Sequence, residues 1–172
     1  MEGVASAWVA RWAHLVAPGG TVLDLAAGSG RHARWFAARD HSVLAVDRDA
    51  DALASMLAID GIATLTADLE NGAPWPLPDR TFDAVVVTNY LWRPILDDLA
   101  AAVGPDGWLL YETFARGNEP LGHPTNPDFL LRPGELLELA RAHDLHVVAY
   151  EDVVVDEPRP AAVQRLAARR PR

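Results

Sequence analysis

A chain of 172 residues is long enough to bury the core of one domain. The absence of cysteine excludes disulfide and thiol chemistry and fits a reducing cytoplasm, and no apolar run approaches the roughly 18 residues that a membrane span needs. The net charge of −9 argues against general binding of nucleic acid. We therefore expect one cytoplasmic domain over residues 1–172, without a signal peptide and without nucleic-acid or membrane partners.

Helical and strand patterns alternate along the first two thirds of the chain. The sequence predicts helices at 5–16, 31–40, 49–60 and 94–103, and strands at 21–26, 42–47, 63–68, 82–89 and 108–114. These strands are almost continuously apolar, which is typical of a parallel sheet covered by helices on both faces.

The pattern changes after residue 114. Residues 115–132 form a long loop, which in a compact domain is usually functional or disordered. A helix at 133–143 precedes strands at 145–155 and 161–169, and the short segment between these strands predicts antiparallel pairing. The predicted fold is a doubly wound, mostly parallel seven-stranded α/β sheet with an antiparallel last strand and helices on both faces.

The turn after the first strand has two interpretations. Its sequence GSGRHA (28–33) matches the G-x-G-x-x-G/A pattern of dinucleotide-binding proteins, which would make the protein a nicotinamide-dependent oxidoreductase with Asp47 on the ribose. Asp24 argues against this, because a carboxylate beside the turn would repel phosphate. S-adenosylmethionine fits the charge better, since it carries a sulfonium and an ammonium and has no phosphate.

Carboxylates stand at the ends of three successive predicted strands, at Asp24, Asp47 and Asp68. The carboxyl ends of parallel strands share one edge of a sheet, where ligands bind, so these side chains should lie close together. Asp47 can accept hydrogen bonds from both ribose hydroxyls, and Asp68 from an adenine amino group with Leu69 against the ring. The competing interpretation is that each aspartate caps the following helix, although Asp49 is better placed than Asp47 to do so.

Four segments carry a resemblance to a known family. DLAAGSG, VDRD, ADLE and FDAVVVTNY resemble the seven-stranded class I S-adenosylmethionine-dependent methyltransferases, with a likeness extending over residues 5–170. GSGRHA and the stretch from YLWRPILDDL to LLRPGEL are similar to small bacterial methyltransferases of the tellurite-resistance type and to unassigned relatives. The family commonly has a further glycine where this chain has Ala26. The resemblance implies S-adenosyl-L-methionine as the cofactor.

The predicted cofactor-binding set comprises Asp24, Ala26, Gly28, Gly30, His32, Asp47, Arg48, Asp68, Leu69 and Asn89. The predicted catalytic set comprises Tyr90, Arg93, Glu112 and His123. No metal site is predicted, because the histidines lack surrounding cysteine or carboxylate ligands.

Each catalytic candidate also has a structural interpretation. Tyr90 would stand at the sulfonium or pack in the core, and Arg93 would bind an anionic acceptor or pair with Asp97. Glu112, in an apolar strand, would act as a base, hold a cationic acceptor, or pair with an arginine such as Arg93. His123 would supply a donor if its loop folds inward, or lie in solvent.

These residues predict an enzyme that methylates a small molecule, with an anionic acceptor (a thiol, chalcogen oxyanion or carboxylate) favoured over a cationic amine. The alternatives are the oxidoreductase and a methyltransferase-like module that binds cofactor or a partner protein without catalysis. The 115–132 loop separates the enzyme from the module, since an enzyme should order it over the acceptor.

Overall fold

Seven strands form the sheet of this protein. The computed structural model describes residues 4–172, so the first three residues of the predicted domain lie outside it. The strands are β1 (Thr21–Leu25), β2 (Ser42–Asp47), β3 (Ile62–Thr66), β4 (Phe82–Thr88), β5 (Val103–Phe114), β6 (His146–Val155) and β7 (Ala161–Arg169). Their spatial order is β3-β2-β1-β4-β5-β7-β6.

The first five strands are parallel, and β7 lies between β5 and β6, antiparallel to both. This confirms the predicted doubly wound, mostly parallel seven-stranded sheet. The chain order reverses at β1, which has β2 on one side and β4 on the other. Ligands of open α/β sheets bind in the crevice at such a reversal, outside the carboxyl ends of the strands.

The helices are shorter than the sequence predicts. They are α1 (Ala7–Trp12), α2 (Arg31–Ala37), α3 (Ala50–Ala54), α4 (Leu96–Ala101) and α5 (Glu135–Ala142), with 3-10 turns at Ala13–Leu15, Arg93–Ile95 and Pro127–Phe129. The predicted 49–60 helix ends early because residues 55–59 continue as tighter turns, and the Ser55 hydroxyl donates to Ala52 O at 2.7 Å. No helix within residues 4–172 is long and apolar enough to cross a membrane.

Two apolar clusters hold the helices on opposite faces of the sheet. Leu23 and Leu25 belong to the cluster that packs with α4 and α5, whereas Val22 belongs to the cluster that packs with α1, α2 and α3. This alternation follows from the two-residue period of a strand, and it explains why β1 reads as a continuous apolar run.

The glycine turn between β1 and α2 has an unusual backbone. Ala26, Gly28 and Gly30 all have positive φ, at 55°, 55° and 78°. A Cβ atom at Gly30 would lie 1.9 Å from Sδ of the buried Met56, so glycine is required there for space as well as for conformation. At position 26 the chain tolerates alanine in a conformation that glycine adopts more easily.

Asp24 joins β1 to α2 beneath this turn. Its side chain is 2% exposed, and Oδ2 accepts a 2.9 Å hydrogen bond from the backbone N–H of Ala33, in the first turn of the helix. Burial raises the pKa of Asp24 to about 7. Asp24 therefore caps the N-terminus of α2, as the structural interpretation of this aspartate predicts.

The 115–132 loop is anchored by backbone and side-chain hydrogen bonds. The buried Asn118 donates to Gly122 O at 3.2 Å and to Pro124 O at 3.1 Å, and its Oδ1 accepts from Ala162 N at 3.1 Å. Ala115 and Leu131 form a parallel bridge that closes the base of the loop. The loop therefore has a defined path over the carboxyl end of β5.

The burial of Asp24 predicts a particular pH dependence of stability. The folded protein keeps this carboxyl protonated up to about pH 7, whereas the unfolded chain ionises it near pH 4, so the group costs stability as the pH rises between these values. Asp24→Asn removes this loss and keeps an oxygen for Ala33 N. Chemical denaturation should find the variant close to wild type at about pH 4 and more stable by the order of a few kcal/mol at about pH 8.

The exposed Asp98→Asn variant is the control and should follow the wild-type pH curve. Parallel pH curves for wild type and Asp24→Asn would show that Asp24 is ionised in the folded protein at neutral pH.

Candidate active site

A cavity of about 170 Å³ lies at the carboxyl ends of β1, β2 and β3. Its lining residues are Ala26, Asp47, Arg48, Ala67, Asp68, Leu69, Glu70 and Tyr90. Five of the ten predicted cofactor-binding residues therefore line one cavity: Ala26, Asp47, Arg48, Asp68 and Leu69. Tyr90, which the sequence predicts on the acceptor side, lines the same cavity. Ala67 and Glu70 were not predicted, although they flank the Asp68–Leu69 pair in the sequence.

Asp47 combines a structural contact with free acceptor capacity. Its Oδ2 accepts from Gly28 N at 2.7 Å and its Oδ1 from Asp49 N at 2.9 Å. Each carboxylate oxygen has a further lone pair, so Asp47 can also accept from a ligand. Asp49, not Asp47, caps α3, accepting from Ala52 N at 3.0 Å.

Asp68 lies in the loop after β3, where it is exposed and accepts from Glu70 N at 2.9 Å. No helix lies between β3 and β4, so Asp68 does not cap a helix. Asp68 and Asp47 therefore face the same cavity from adjacent strand ends, as the sequence predicts.

Asp24 and His32, in contrast, lie away from the cavity wall. His32 is buried, its Nε2 accepts from Ser6 N at 3.1 Å, and its Nδ1 lies 3.5 Å from the Thr88 hydroxyl. Burial lowers the pKa of His32 to about 3, so the ring is neutral with its proton on Nδ1. In the structure, His32 fastens the segment before α1 to the end of β4.

A second cavity, of about 380 Å³, lies on the other side of Asn89. Its walls are the N-terminal segment 4–7, Arg31 and Asn89, Glu112 and Phe114 of β5, and the β6–β7 hairpin with Glu157, Arg159 and Arg165. Sequence reasoning missed Arg31, although it lies in the glycine motif. It also missed Arg159 and Arg165, because only the antiparallel hairpin brings them to this edge.

Glu112 is held on both oxygens in the second cavity. Its Oε1 accepts from the Ser6 hydroxyl at 2.6 Å, and its Oε2 forms an ion pair with Arg165. Arg165 also donates to Glu151 Oε2 at 3.1 Å. The expectation that Glu112 pairs with an arginine is met, but Arg93 is the wrong partner.

Arg93 has a different environment from the one predicted. Its Nε donates to Glu135 Oε1 at 2.7 Å and its Nη2 to Glu135 Oε2 at 3.0 Å. It lines none of the cavities described here and makes no ion pair with Asp97, which bonds to His143 Nε2 at 2.8 Å. The prediction that Arg93 binds the acceptor is therefore not supported by its contacts, because a buried carboxylate already occupies the guanidinium.

A third cavity, of about 240 Å³, opens between β4 and the 115–132 loop. Its lining residues are Glu70, Asn89, Tyr90, Leu91, Thr113, Phe114, Pro124 and Phe129. Tyr90 separates it from the first cavity, and Asn89 is shared with the second. The end of β4 is therefore the meeting point of all three cavities.

The backbone at the end of β4 is held in position by β5. Asn89 has a φ of 54°, and its N–H donates to Glu112 O at 2.9 Å. The buried Tyr111 hydroxyl donates to Tyr90 O at 2.8 Å. Burial and the neighbouring Glu70 carboxylate raise the pKa of Tyr90 well above its usual range, so its phenol stays protonated at neutral pH.

His123 does not fold inward. It is exposed and lies outside the lining of the three cavities, and its backbone oxygen accepts from Arg159 Nη2 at 3.4 Å. Between residues 4 and 172, no three histidine, aspartate or glutamate side chains are grouped as metal ligands.

Comparison with known proteins identifies the family. A family model described as a methyltransferase domain matches residues 22–107, half of the chain. No curated protein sequence matches significantly.

Solved structures with this fold include methyltransferases. TehB from Haemophilus influenzae superposes with a TM-score of 0.78 at 18% identity, over 94% of this chain and 61% of that one. An S-adenosylmethionine-dependent methyltransferase from Mesorhizobium loti superposes with a TM-score of 0.74 at 19% identity, over 96% and 99% of the two chains.

The Burkholderia thailandensis 1,6-didemethyltoxoflavin-N1-methyltransferase, with bound 1,6-didemethyltoxoflavin and S-adenosylhomocysteine, superposes with a TM-score of 0.66 at 22% identity. It is covered over 75% of its length, and this chain over 94%. At such identities these likenesses establish the shared fold, and the family model adds the activity class. The chain belongs to the methyltransferase-domain family and has the fold of class I S-adenosylmethionine-dependent methyltransferases.

Proposed function

We propose that this enzyme binds the adenosine half of S-adenosylmethionine in the first cavity and transfers its methyl group to a small anionic acceptor in the second. The negative charge of the first cavity is the main support for this position of the cofactor. Of the described residues, Asp47, Asp68 and Glu70 line it together with one cation, Arg48. Such a lining favours hydroxyl and amino donors and disfavours phosphate, which argues against a nicotinamide dinucleotide.

The polar groups of adenosine match this lining. Asp47 offers lone pairs to the two ribose hydroxyls while it holds Gly28 N. Asp68 offers its carboxylate to the adenine amino group, and Leu69 and Tyr90 supply walls for the ring. The methionine end then extends over the glycine turn towards Asn89.

Arg31 suits the carboxylate of that methionine end. It opens α2 and donates to Val4 O and to the Thr88 hydroxyl, both at 3.4 Å. These bonds are long, and none of the ion pairs formed by residues 4–172 includes Arg31. Its planar guanidinium can therefore donate hydrogen bonds to a carboxylate without breaking an ion pair.

The charges of the second cavity favour an anionic acceptor. Among the lining residues that the structure describes, Arg165 and Glu112 neutralise each other, and Arg31 is assigned to the carboxylate of the cofactor, which leaves Arg159 and Glu157. Arg159 makes no ion pair within the described part of the chain, and its bond to His123 O is long. The sulfonium of the cofactor adds a further positive charge, so the loaded site attracts an anion.

The available bases point the same way. Glu112 is held on both oxygens, His32 is neutral and turned away, and Tyr90 stays protonated. Among the described residues of the second cavity, only the exposed Glu157 offers a carboxylate without such a partner. An acceptor that is already an anion needs no base. S-adenosylmethionine, when bound, would supply the methyl group and a thioether leaving group that takes the bonding electrons, so the chain would only have to present the acceptor's lone pair. The enzyme contributes positioning and exclusion of water.

Asp47→Ala tests the cofactor's position. Hydrogen bonds to a charged group are worth about 1.5–3 kcal/mol, so calorimetry should find S-adenosylhomocysteine bound roughly tenfold to a hundredfold more weakly. Asp47→Asn keeps one acceptor oxygen and should lose less. Asp49→Ala, which removes a carboxylate two residues away that caps α3 instead of lining the cavity, is the control. Equal affinities for the Asp47→Ala and Asp49→Ala variants would refute the proposed ribose contact.

Arg159→Ala tests the anionic acceptor with two thiols that differ in charge. Transfer to 3-mercaptopropionate should show a KM raised about three- to tenfold, because a partly solvated charge-assisted contact is lost, whereas transfer to 2-mercaptoethanol should change little. The exposed Arg116→Ala variant, in the 115–132 loop, controls for overall charge. Equal losses for both thiols would contradict recognition of the carboxylate by Arg159.

A further inference from the structure

Outside the cofactor site, the guanidinium of Arg93 donates hydrogen bonds to two backbone carbonyl groups of the 115–132 loop. Nη1 donates to Asp128 O at 2.6 Å, and Nη2 donates to Leu130 O at 2.9 Å. These carbonyl groups lie on either side of Phe129. Glu135 holds the same guanidinium through both of its oxygens, so the fork is fixed in one orientation.

The segment around Phe129 is also fixed from the sheet side. Leu130 and Leu131 are fully buried, and Leu131 N donates to Phe114 O at 3.0 Å, at the end of β5. Phe129 itself stays 39% exposed and lines the third cavity. A large aromatic side chain is thus kept out of the core by a backbone that is bonded on both sides.

The third cavity differs in chemistry from its neighbours. Tyr90, Leu91, Phe114, Pro124 and Phe129 give it apolar walls. Glu70 is the only charged residue of its lining within the described range 4–172, so an anion does not belong there. Its volume of about 240 Å³ exceeds the 150 Å³ or so that suffices for benzene in an apolar cavity.

We propose that the third cavity binds a planar aromatic ring of the methyl acceptor, and that Phe129, positioned by Arg93, determines its selectivity for that ring. The inference rests on the proposed function and narrows the acceptor to a small aromatic anion. The second and third cavities share Asn89 and Phe114, so such a molecule can place its ring beside Phe129 and its charge towards Arg159. Aromatic rings stack or meet edge to face, which gives Tyr90 and Phe129 a specific role in the contact.

Benzoate and acetate, each titrated against the protein saturated with S-adenosylhomocysteine, test the ring contact by calorimetry. Wild type should bind benzoate at least about tenfold more tightly than acetate, since the ring buries apolar surface. Phe129→Ala should weaken benzoate about three- to tenfold and leave acetate unchanged. Leu121→Ala is the matched control, because Leu121 is 38% exposed in the same loop and is not among the cavity residues.

Arg93→Lys keeps the positive charge, but its three donors on one nitrogen cannot reproduce the four hydrogen bonds that the guanidinium makes from three nitrogens. It should weaken benzoate in the same direction as Phe129→Ala, with unchanged affinity for S-adenosylhomocysteine. The proposed ring contact would be wrong if wild type bound benzoate and acetate equally, or if Phe129→Ala and Leu121→Ala had equal effects. Either result would leave the proposed function standing. Failure of wild type to bind S-adenosylhomocysteine would instead overturn the proposed function.

Discussion

The hydrogen bond from Gly28 N to Asp47 Oδ2 connects the two strand ends on which the cofactor site depends. It is 2.7 Å long, and it fixes a turn with three positive φ angles against the end of β2. The same carboxylate accepts from Asp49 N, which starts α3 on its path away from the cavity. A single side chain therefore shapes the turn and still offers oxygen lone pairs to a ligand.

A second set of bonds encloses the acceptor side. Ser6 donates through its N–H to His32 and through its hydroxyl to Glu112, so the segment before α1 is attached to α2 and to β5 at once. Arg165 extends this network from Glu112 to Glu151 of β6. The β6–β7 hairpin thus completes the second cavity. Its strand β7 contributes Arg165, which pairs with Glu112, and its linker contributes Arg159, which adds positive charge.

The features predicted correctly from the sequence are those that depend on local order. Alternating strands and helices determine a parallel sheet, and a parallel sheet brings the ends of β2 and β3 together. The sequence therefore predicts that Asp47 and Asp68 lie close together, and both line the first cavity. The antiparallel pairing of the last strands followed in the same way from the shortness of their linker.

The errors concern side chains whose partners are distant in the chain. Arg93 meets Glu135 only because α5 packs beside α4, and Glu112 meets Arg165 only because β7 inserts next to β5. The charge of Asp24 predicts a ligand contact, and sequence reasoning did not single out Ala33 N of α2 as its hydrogen-bond donor. Side-chain direction and ion-pair choice are tertiary properties, and one sequence carries little signal for them.

We propose that the carboxylates of the first cavity select a phosphate-free adenosine cofactor. Thermal unfolding in the presence of S-adenosylhomocysteine, NAD or NADP, each at equal concentration, tests it most directly. A ligand at a hundredfold excess over its dissociation constant adds about 2.7 kcal/mol to stability, which produces a clear rise in melting temperature. The melting temperature should rise with S-adenosylhomocysteine and should stay unchanged with the two dinucleotides. Stabilisation by NAD or NADP without any by S-adenosylhomocysteine would contradict the proposal.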